Sequence, residues 1–407
     1  MSESNIIVGD CRQILETLPE QSVQCVVTSP PYWGQRDYGV DGMIGLEADV
    51  YTWLAVMVEV FRGVRRVLRD DGTVWLNLGD KYAGSGGAGG DYNPGGLKAG
   101  VTGGPSASTK QSGFKQKDLM GLPWRLAFAL QDDGWYLRRD IIWHKPNPMP
   151  ESATDRPATA HEYVFLLTKQ PKYFYDQDAV RRPVAESSIQ RVNQNNGNPK
   201  FDGARERRMN STVTTGDTLD PAKLVPENGA ALRSVWKIAT QAFSGPHYAT
   251  YPEKLVEPCI MAGTSEAGEC PECGVPWKRV TADPTYSKHR PSAGDDPRSR
   301  SDDKQAKGYF EGLHGYRGNN LLRDAPVTTG WQQSCEHPAP PVPQTVLDPF
   351  SGAGTTGLVA ARFDRNYIGI ELNPEYAEMS RKRIADRVGV TDPDELDPGE
   401  QAQGRMF

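Results

Sequence analysis

The sequence predicts an α/β protein built on a mainly parallel sheet, and three observations carry that expectation. Val23–Thr28 (VQCVVT) is a short, mainly apolar run stopped by Ser29-Pro30-Pro31, as a buried parallel strand would be. Val50, Trp53, Leu54, Met57, Val58, Phe61, Val64, Val67 and Leu68 then recur at steps of three and four, the spacing of a helix with one buried face. Far along the chain, Thr345–Asp348 (TVLD) leads into a glycine turn, a helix through Ala361 and a second strand at 367–371 (YIGIE). The two stretches read as halves of one sheet.

The remaining elements follow from local signals. Asp70-Asp71-Gly72 is expected to end the first long helix, with a strand at 73–78 (TVWLNL), a helix at 119–130, and strands at 140–144 and 163–168. Asn373-Pro374 predicts the start of the last helix, with asparagine as its cap and proline in its first turn. Three blocks, 83–113, 186–229 and 282–330, are rich in Gly, Pro, Ser, Asn and charge; they read as insertions, either disordered or as loops that close over ligands. The polar tail after Val388 is expected to fray.

A chain of 407 residues with 37% hydrophobic content can bury a large core. No apolar run approaches the roughly 20 residues of a membrane span, and the start MSESNIIVGDC lacks a signal-peptide layout, so a cytoplasmic protein with no membrane partner is expected. Six cysteines are too few for a disulfide scaffold in a chain of this length, which predicts reduced thiols. The net charge of −6 does not exclude a nucleic-acid partner, because a basic cleft suffices.

The segment VLDPFSGAGTTG sets Asp348 at a strand end and Gly352, Gly354 and Gly357 in G-x-G-x-x-G order, letting the backbone turn tightly against a ligand and open a helix. The next strand ends in Glu371, about 20 residues on, where a carboxylate would meet ribose hydroxyls. With no Lys-Ser/Thr after the glycines, a triphosphate loop is disfavoured. A dinucleotide dehydrogenase and an adenosylmethionine enzyme both fit.

Thr28 to Trp33 (TSPPYW) separates them. Its two prolines make a rigid turn that offers carbonyls rather than donors. The exocyclic amine of cytosine or adenine is a poor nucleophile because its lone pair is spread into the ring. Acceptors aimed at its two hydrogens, here Ser29 Oγ and the Pro30 carbonyl, would draw the nitrogen toward a tetrahedral form able to attack a methyl sulfonium. Tyr32 can stack on a base flipped out of the duplex.

The pair TSPPYW and DPFSGAGTTG resembles the amino-methyltransferases of restriction-modification systems and phages, in the permuted order of their β group. The resemblance covers roughly 5–180 and 247–386. It implies a Rossmann-like, adenosylmethionine-dependent fold with a seven-stranded, mainly parallel sheet and helices on both faces. It also implies double-stranded DNA as substrate; a cognate endonuclease and a homodimer would be compatible partners. Ser29, Pro30, Pro31 and Tyr32 match the catalytic turn. Asp10, Asp348, Phe350, Gly352, Gly354, Thr355 and Glu371 match cofactor positions, and 247–264 matches the helix at the methionine end. The segments 141–150 (IIWHKPNPMP) and His161-Glu162-Tyr163 match borders of the target-base pocket. Residues 1–180 and 247–388 would form the catalytic domain, 181–246 the target-recognition region, 265–340 an insertion and 389–407 the tail. Serine before Pro-Pro-Tyr favours N4 of cytosine, with N6 of adenine as the alternative.

Three other groupings stand out. Cys270-Pro-Glu-Cys273-Gly has the spacing of a zinc knuckle, and Cys335 and His337 would complete four ligands for a structural zinc, with unliganded thiols as the alternative. Pro258-Cys259 matches the nucleophile dipeptide of ring-carbon methylation, but Cys259 shares an apolar helical face with Leu255, Val256 and Ile260, the setting of a buried thiol. Arg191, Lys200, Arg205, Arg207 and Arg208 form a basic cluster suited either to DNA phosphates or to a solvated loop.

Overall fold

The computed structural model describes residues 3–34, 39–83, 113–182, 229–241, 251–281 and 328–388. The basic cluster at 191–208, most of the three insertion blocks and the tail lie outside the described residues. The chain divides into two compact units, one of 1–175, 234–276 and 335–407, the other of 176–233 and 277–334.

The first unit runs β1 (Ser4–Val8), α1 (Cys11–Thr17), β2 (Val23–Thr28), α2 (Val50–Val67), β3 (Leu68–Leu78), α3 (Leu122–Asp132), β4 (Tyr136–His144), β5 (His161–Thr168), β6 (Val235–Lys237) and α4 (Glu253–Gly263). The second unit contributes β7 (Lys278–Thr281) and β8 (Thr328–Gln332), after which β9 (Thr345–Asp348), α5 (Thr355–Arg362), β10 (Asn366–Glu371) and α6 (Pro374–Val388) return to the first. One sheet has the order β1-β10-β9-β2-β3-β5-β4-β6, and only β5 runs antiparallel to its neighbours. It therefore holds the seven expected strands and one more, the three-residue edge strand β6, which sets Trp236 against Trp75 at 6.3 Å between ring centroids.

Side chains alternate across a strand, so neighbouring residues report both faces. Val26, Val74, Leu76 and Phe165 join Trp53, Met57, Phe61, Leu126 and Leu15 of α1–α3 in one core. Cys25, Thr73 and Trp75 point the other way, where Cys25 Sγ lies 3.9 Å from the Cys259 carbonyl of α4. α4, α5 and α6 pack in succession on that second face. Helices thus cover both faces, which is why β2 is buried along its whole length.

The long helix ends earlier than its sequence suggests. It stops at Val67, and Leu68 is already extended (φ −70°, ψ 139°), so β3 begins five residues before Thr73. Val23 pairs with Leu68 and Cys25 with Thr73, so the extra residues form a bulge. Gly72 sits where a Cβ would fall 2.6 Å from the Leu68 side chain and 2.8 Å from the Gln24 carbonyl. At the last helix Asn373 Oδ1 accepts from Glu375 N at 2.9 Å, the expected cap.

The second unit pairs β7 with β8 in antiparallel register, and Arg279 joins Asp176 at 2.9 Å while lying over the Trp331 ring. Among the described residues, no helix is long and apolar enough to cross a membrane.

At Gly263 an added Cβ would lie 2.6 Å from Thr73 Oγ1 and 2.8 Å from Cys25 Sγ. Gly263→Ala is therefore expected to cost about 1–3 kcal/mol by overpacking, read by urea denaturation; an unchanged midpoint would refute the close approach of α4 to the sheet.

Candidate active site

The strand order changes direction between β9 and β2: from β9 the chain runs outward to β10, from β2 outward to β3. In open α/β sheets ligands bind beyond the carboxyl ends of the strands at such a point. Both motifs emerge there, TSPPYW after β2 and DPFSGAG after β9, and the pairing of Val26 with Leu347 sets the strand ends side by side. β1 joins from the far edge, where Val8 pairs with Glu371 and Gly9, at φ +147°, donates to the Glu371 carbonyl at 2.9 Å.

A cavity of about 740 Å³ opens at this place. Its walls include Asp10, Ser29, Pro30, Pro31, Tyr32, Phe350, Gly352, Thr355 and Glu371, so nine of the sequence-predicted residues meet in one space. Trp143, Lys145 and Glu162, from the segments expected to border a base pocket, line it too.

Asp348 is not in the wall but beneath it, 1% exposed. Thr28 Oγ1 donates to its Oδ1 at 2.6 Å and Phe350 N at 3.1 Å; Tyr251 OH donates to Oδ2 at 2.9 Å, and the Thr356 hydroxyl stands 3.0 Å from that same oxygen. Burial still pushes the carboxyl above its usual range, against these bonds. Gly354 also lies outside the wall: at φ +72° it starts α5 where a Cβ would strike Ser380 Oγ at 2.1 Å. Thr28 and Thr356 lie inside the two motifs and Tyr251 inside 247–264, but no sequence signal marks their hydroxyls as partners of Asp348 until the fold brings them together.

The acids in the wall differ. Glu371 accepts from Gly352 N (2.7 Å) and Asn373 N (2.9 Å), clamping the glycine turn to β10, and burial raises its carboxyl. Asp10 caps α1 and meets Arg12, whose guanidinium holds the Asp10 carboxyl below its usual range.

On the other wall a chain of hydrogen bonds has a fixed sense. Glu162 binds Lys145 and accepts from Asn77 Nδ2 at 3.2 Å. A carboxylate only accepts, so Tyr32 OH donates to Glu162 Oε2 (3.2 Å) and Ser29 Oγ donates to Tyr32 OH (3.3 Å). Burial, and then the negative Glu162, push the Tyr32 phenol well above its ordinary value, so it stays a donor. Ser29 Oγ keeps its lone pairs for an incoming donor. The turn is braced by Trp53 Nε1, which donates to the Pro31 carbonyl at 3.2 Å.

Cys259 lies buried on the second face, its Sγ donating to the Leu255 carbonyl at 3.2 Å, and burial drives its thiol well above the ordinary value. Cys259 does not line the cavity, and its setting is that of a buried structural thiol rather than a nucleophile.

Away from the cavity, the ligand atoms of Cys270, Cys273, Cys335 and His337 lie within 4.8 Å of one another. The Cys270–Gly274 turn closes through Gly274 N to the Cys270 carbonyl at 2.7 Å, with Gly274 at φ +67°. Glu269 and Val342 exchange two backbone bonds of 2.8 Å, holding the two ligand pairs on neighbouring backbones.

Thr28→Val keeps shape but removes one donor from the buried Asp348. It should cost about 1–3 kcal/mol in thermal or urea unfolding, and Thr28→Ser far less; equal stability of all three proteins would mean that the Asp348 contact contributes nothing.

The family described as DNA methylase (N6_N4_Mtase) matches residues 23–271 and 338–382, most of the chain. The type II methyltransferase M.XycI of Xanthomonas campestris pv. cyanopsidis is 37% identical over 94% of this chain and 87% of its own length. M.SmaI of Serratia marcescens is 34% identical over 94% and 91%. Among solved structures, the PvuII DNA methyltransferase (cytosine-N4-specific) covers 98% of this chain and 90% of its own at 17% identity and a TM-score of 0.49. The chain belongs to the N6/N4 DNA methylase family and is an S-adenosylmethionine-dependent DNA methyltransferase acting on an exocyclic amine, N4 or N6.

Proposed function

We propose that the protein methylates N4 of cytosine in double-stranded DNA, on a base flipped into the cavity. The meeting of the Ser29–Tyr32 turn and the Gly352–Thr355 turn in one cavity supports transfer to an exocyclic amine, and serine ahead of Pro-Pro-Tyr favours N4 of cytosine. About 740 Å³ falls within the roughly 300–1,000 Å³ of small-molecule sites. Phe350, Gly352, Thr355, Glu371 and Asp10 would hold the cofactor, Gly354 and Asp348 shaping the turn from below. When bound, S-adenosylmethionine supplies an electrophilic methyl group on a positively charged sulfur.

The chain's own residues prepare the amine. Ser29 Oγ and the Pro30 carbonyl accept its two hydrogens, which concentrates the lone pair on nitrogen. The Ser29–Tyr32–Glu162 sense of donation supports that role, because each bond passed toward Glu162 makes the preceding oxygen a better acceptor. Tyr32 offers its ring to the base, and target choice is assigned to residues 181–246.

Ser29→Ala should lower methyl transfer roughly 100- to 1,000-fold, as when one polar contact made mainly in the transition state is removed, while cofactor affinity by calorimetry stays within about twofold. Undiminished transfer would overturn the catalytic role. Modification-sensitive sequencing and nucleoside mass spectrometry of DNA from expressing cells should give N4-methylcytosine at a fixed site; N6-methyladenine would reassign the base.

We also propose that Cys270, Cys273, Cys335 and His337 hold one structural zinc. Three thiolates at Zn–S distances of about 2.3 Å and one imidazole at about 2.0–2.1 Å make a closed tetrahedral shell, and the observed spacing supports it. Metal analysis should find about one zinc per chain, lost in Cys273→Ser, and chelation should lower Tm, because binding energy at such a site is folding energy. Protein purified without chelator and free of zinc would dispose of the site.

A further inference from the structure

The loop after β4 reads Lys145-Pro-Asn-Pro-Met-Pro, with proline at every second position. Proline fixes φ near −65°, so the segment has little freedom to fold away. Its base is tied down: Lys145 N donates to the Ala160 carbonyl at 2.8 Å, and the Asn147 side chain exchanges two 3.0 Å bonds with Thr240. Beyond it, Glu151 pairs with Arg156 at 2.6 Å and accepts from Thr159 N at 3.0 Å.

Met149 stands at 67% exposure on this loop. Among the described residues, five large apolar side chains are more than half exposed: Tyr51, Leu119, Phe128, Val235 and Met149. Only Met149 lines the cavity that holds Ser29 and Tyr32. A stiff loop that keeps an apolar side chain in water at the rim of this cavity gains nothing for the fold. It is preorganised for an apolar surface that arrives with the substrate.

We infer that Met149 enters the DNA stack and fills the gap left by the target base, an inference that rests on the flipped-base reading above. Extruding a base costs unstacking, and apolar wedges, methionine among them, occupy opened base steps in other DNA complexes. Methionine is unbranched and polarisable, so it can lie flat between base faces. Met149 is thus a positioning residue: it holds the base out while the Ser29 turn holds the amine.

The test uses the full chain and a duplex carrying the mapped methylation site, with pyrrolocytosine in place of the target cytosine, or 2-aminopurine if the mapped base is adenine. Met149→Ala should cut the fluorescence rise on binding about threefold and kcat/KM on paired DNA about tenfold, in line with a lost contribution to base extrusion. With the target base opposite an abasic site, already loosened, kcat/KM should return to within about twofold of the unsubstituted protein. Met149→Leu should keep both properties, and cofactor affinity should not move in either variant. Equal fluorescence and rate for Met149→Ala on paired DNA would overturn the inference, as would a rate loss that the abasic duplex does not restore or a shift in cofactor affinity. No fluorescence rise with the unsubstituted protein would bring down the flipped-base reading, and this inference with it.

Discussion

The architecture turns on one buried carboxylate. Asp348 is out of solvent at the end of β9, and a buried charge is costly unless it is hydrogen-bonded. Four groups answer it: the Thr28 hydroxyl ending β2, the Phe350 amide in the glycine turn, the Thr356 hydroxyl in α5, and the Tyr251 hydroxyl before α4. Thr28 precedes Ser29, so satisfying Asp348 also fixes the Ser29–Tyr32 turn against the Gly352–Thr355 turn. The two ends are 320 residues apart in the chain and neighbours in the sheet.

From that point the carboxylates divide by environment. Asp348 spends its acceptor capacity on the fold. Glu371 spends part of its capacity on two backbone amides and still faces the cavity. Glu162 orients a chain of hydroxyls, because an acid that can only accept sets the direction of every donor leading to it. The same residue type thus supplies bracing, a cavity wall and polarity.

Rigidity recurs around the cavity. Prolines stiffen the turn after β2 and the loop after β4, and backbone at positive φ shapes the turn after β9. Loops on a parallel sheet can hold chemistry to a fraction of an ångström only if their own freedom is small. Away from the cavity, Cys335 and His337 of the Cys270–His337 cluster precede β9, and Asp348 stands at that strand's other end.

Much of this was legible in the residues. The apolar run at β2, the three- and four-residue recurrence in α2, and the motifs after β2 and β9 are local patterns, each written within about 20 residues. They yielded the α/β class, both turns and nine of the residues that line the cavity. Tertiary structure decided what local pattern does not contain. β1 and β6 are strands because of their neighbours, β3 starts early because a bulge absorbs Leu68 to Gly72, and β7 meets β8 across more than 40 residues of sequence. It also moved Asp348 from the cavity wall to the support beneath it, and it recruited Thr28, Tyr251 and Thr356. The physical reason is the same in each case: periodicity and turn chemistry act along the chain, whereas a hydroxyl becomes a partner, and a carboxylate a brace or a ligand, only through what lies across the fold from it.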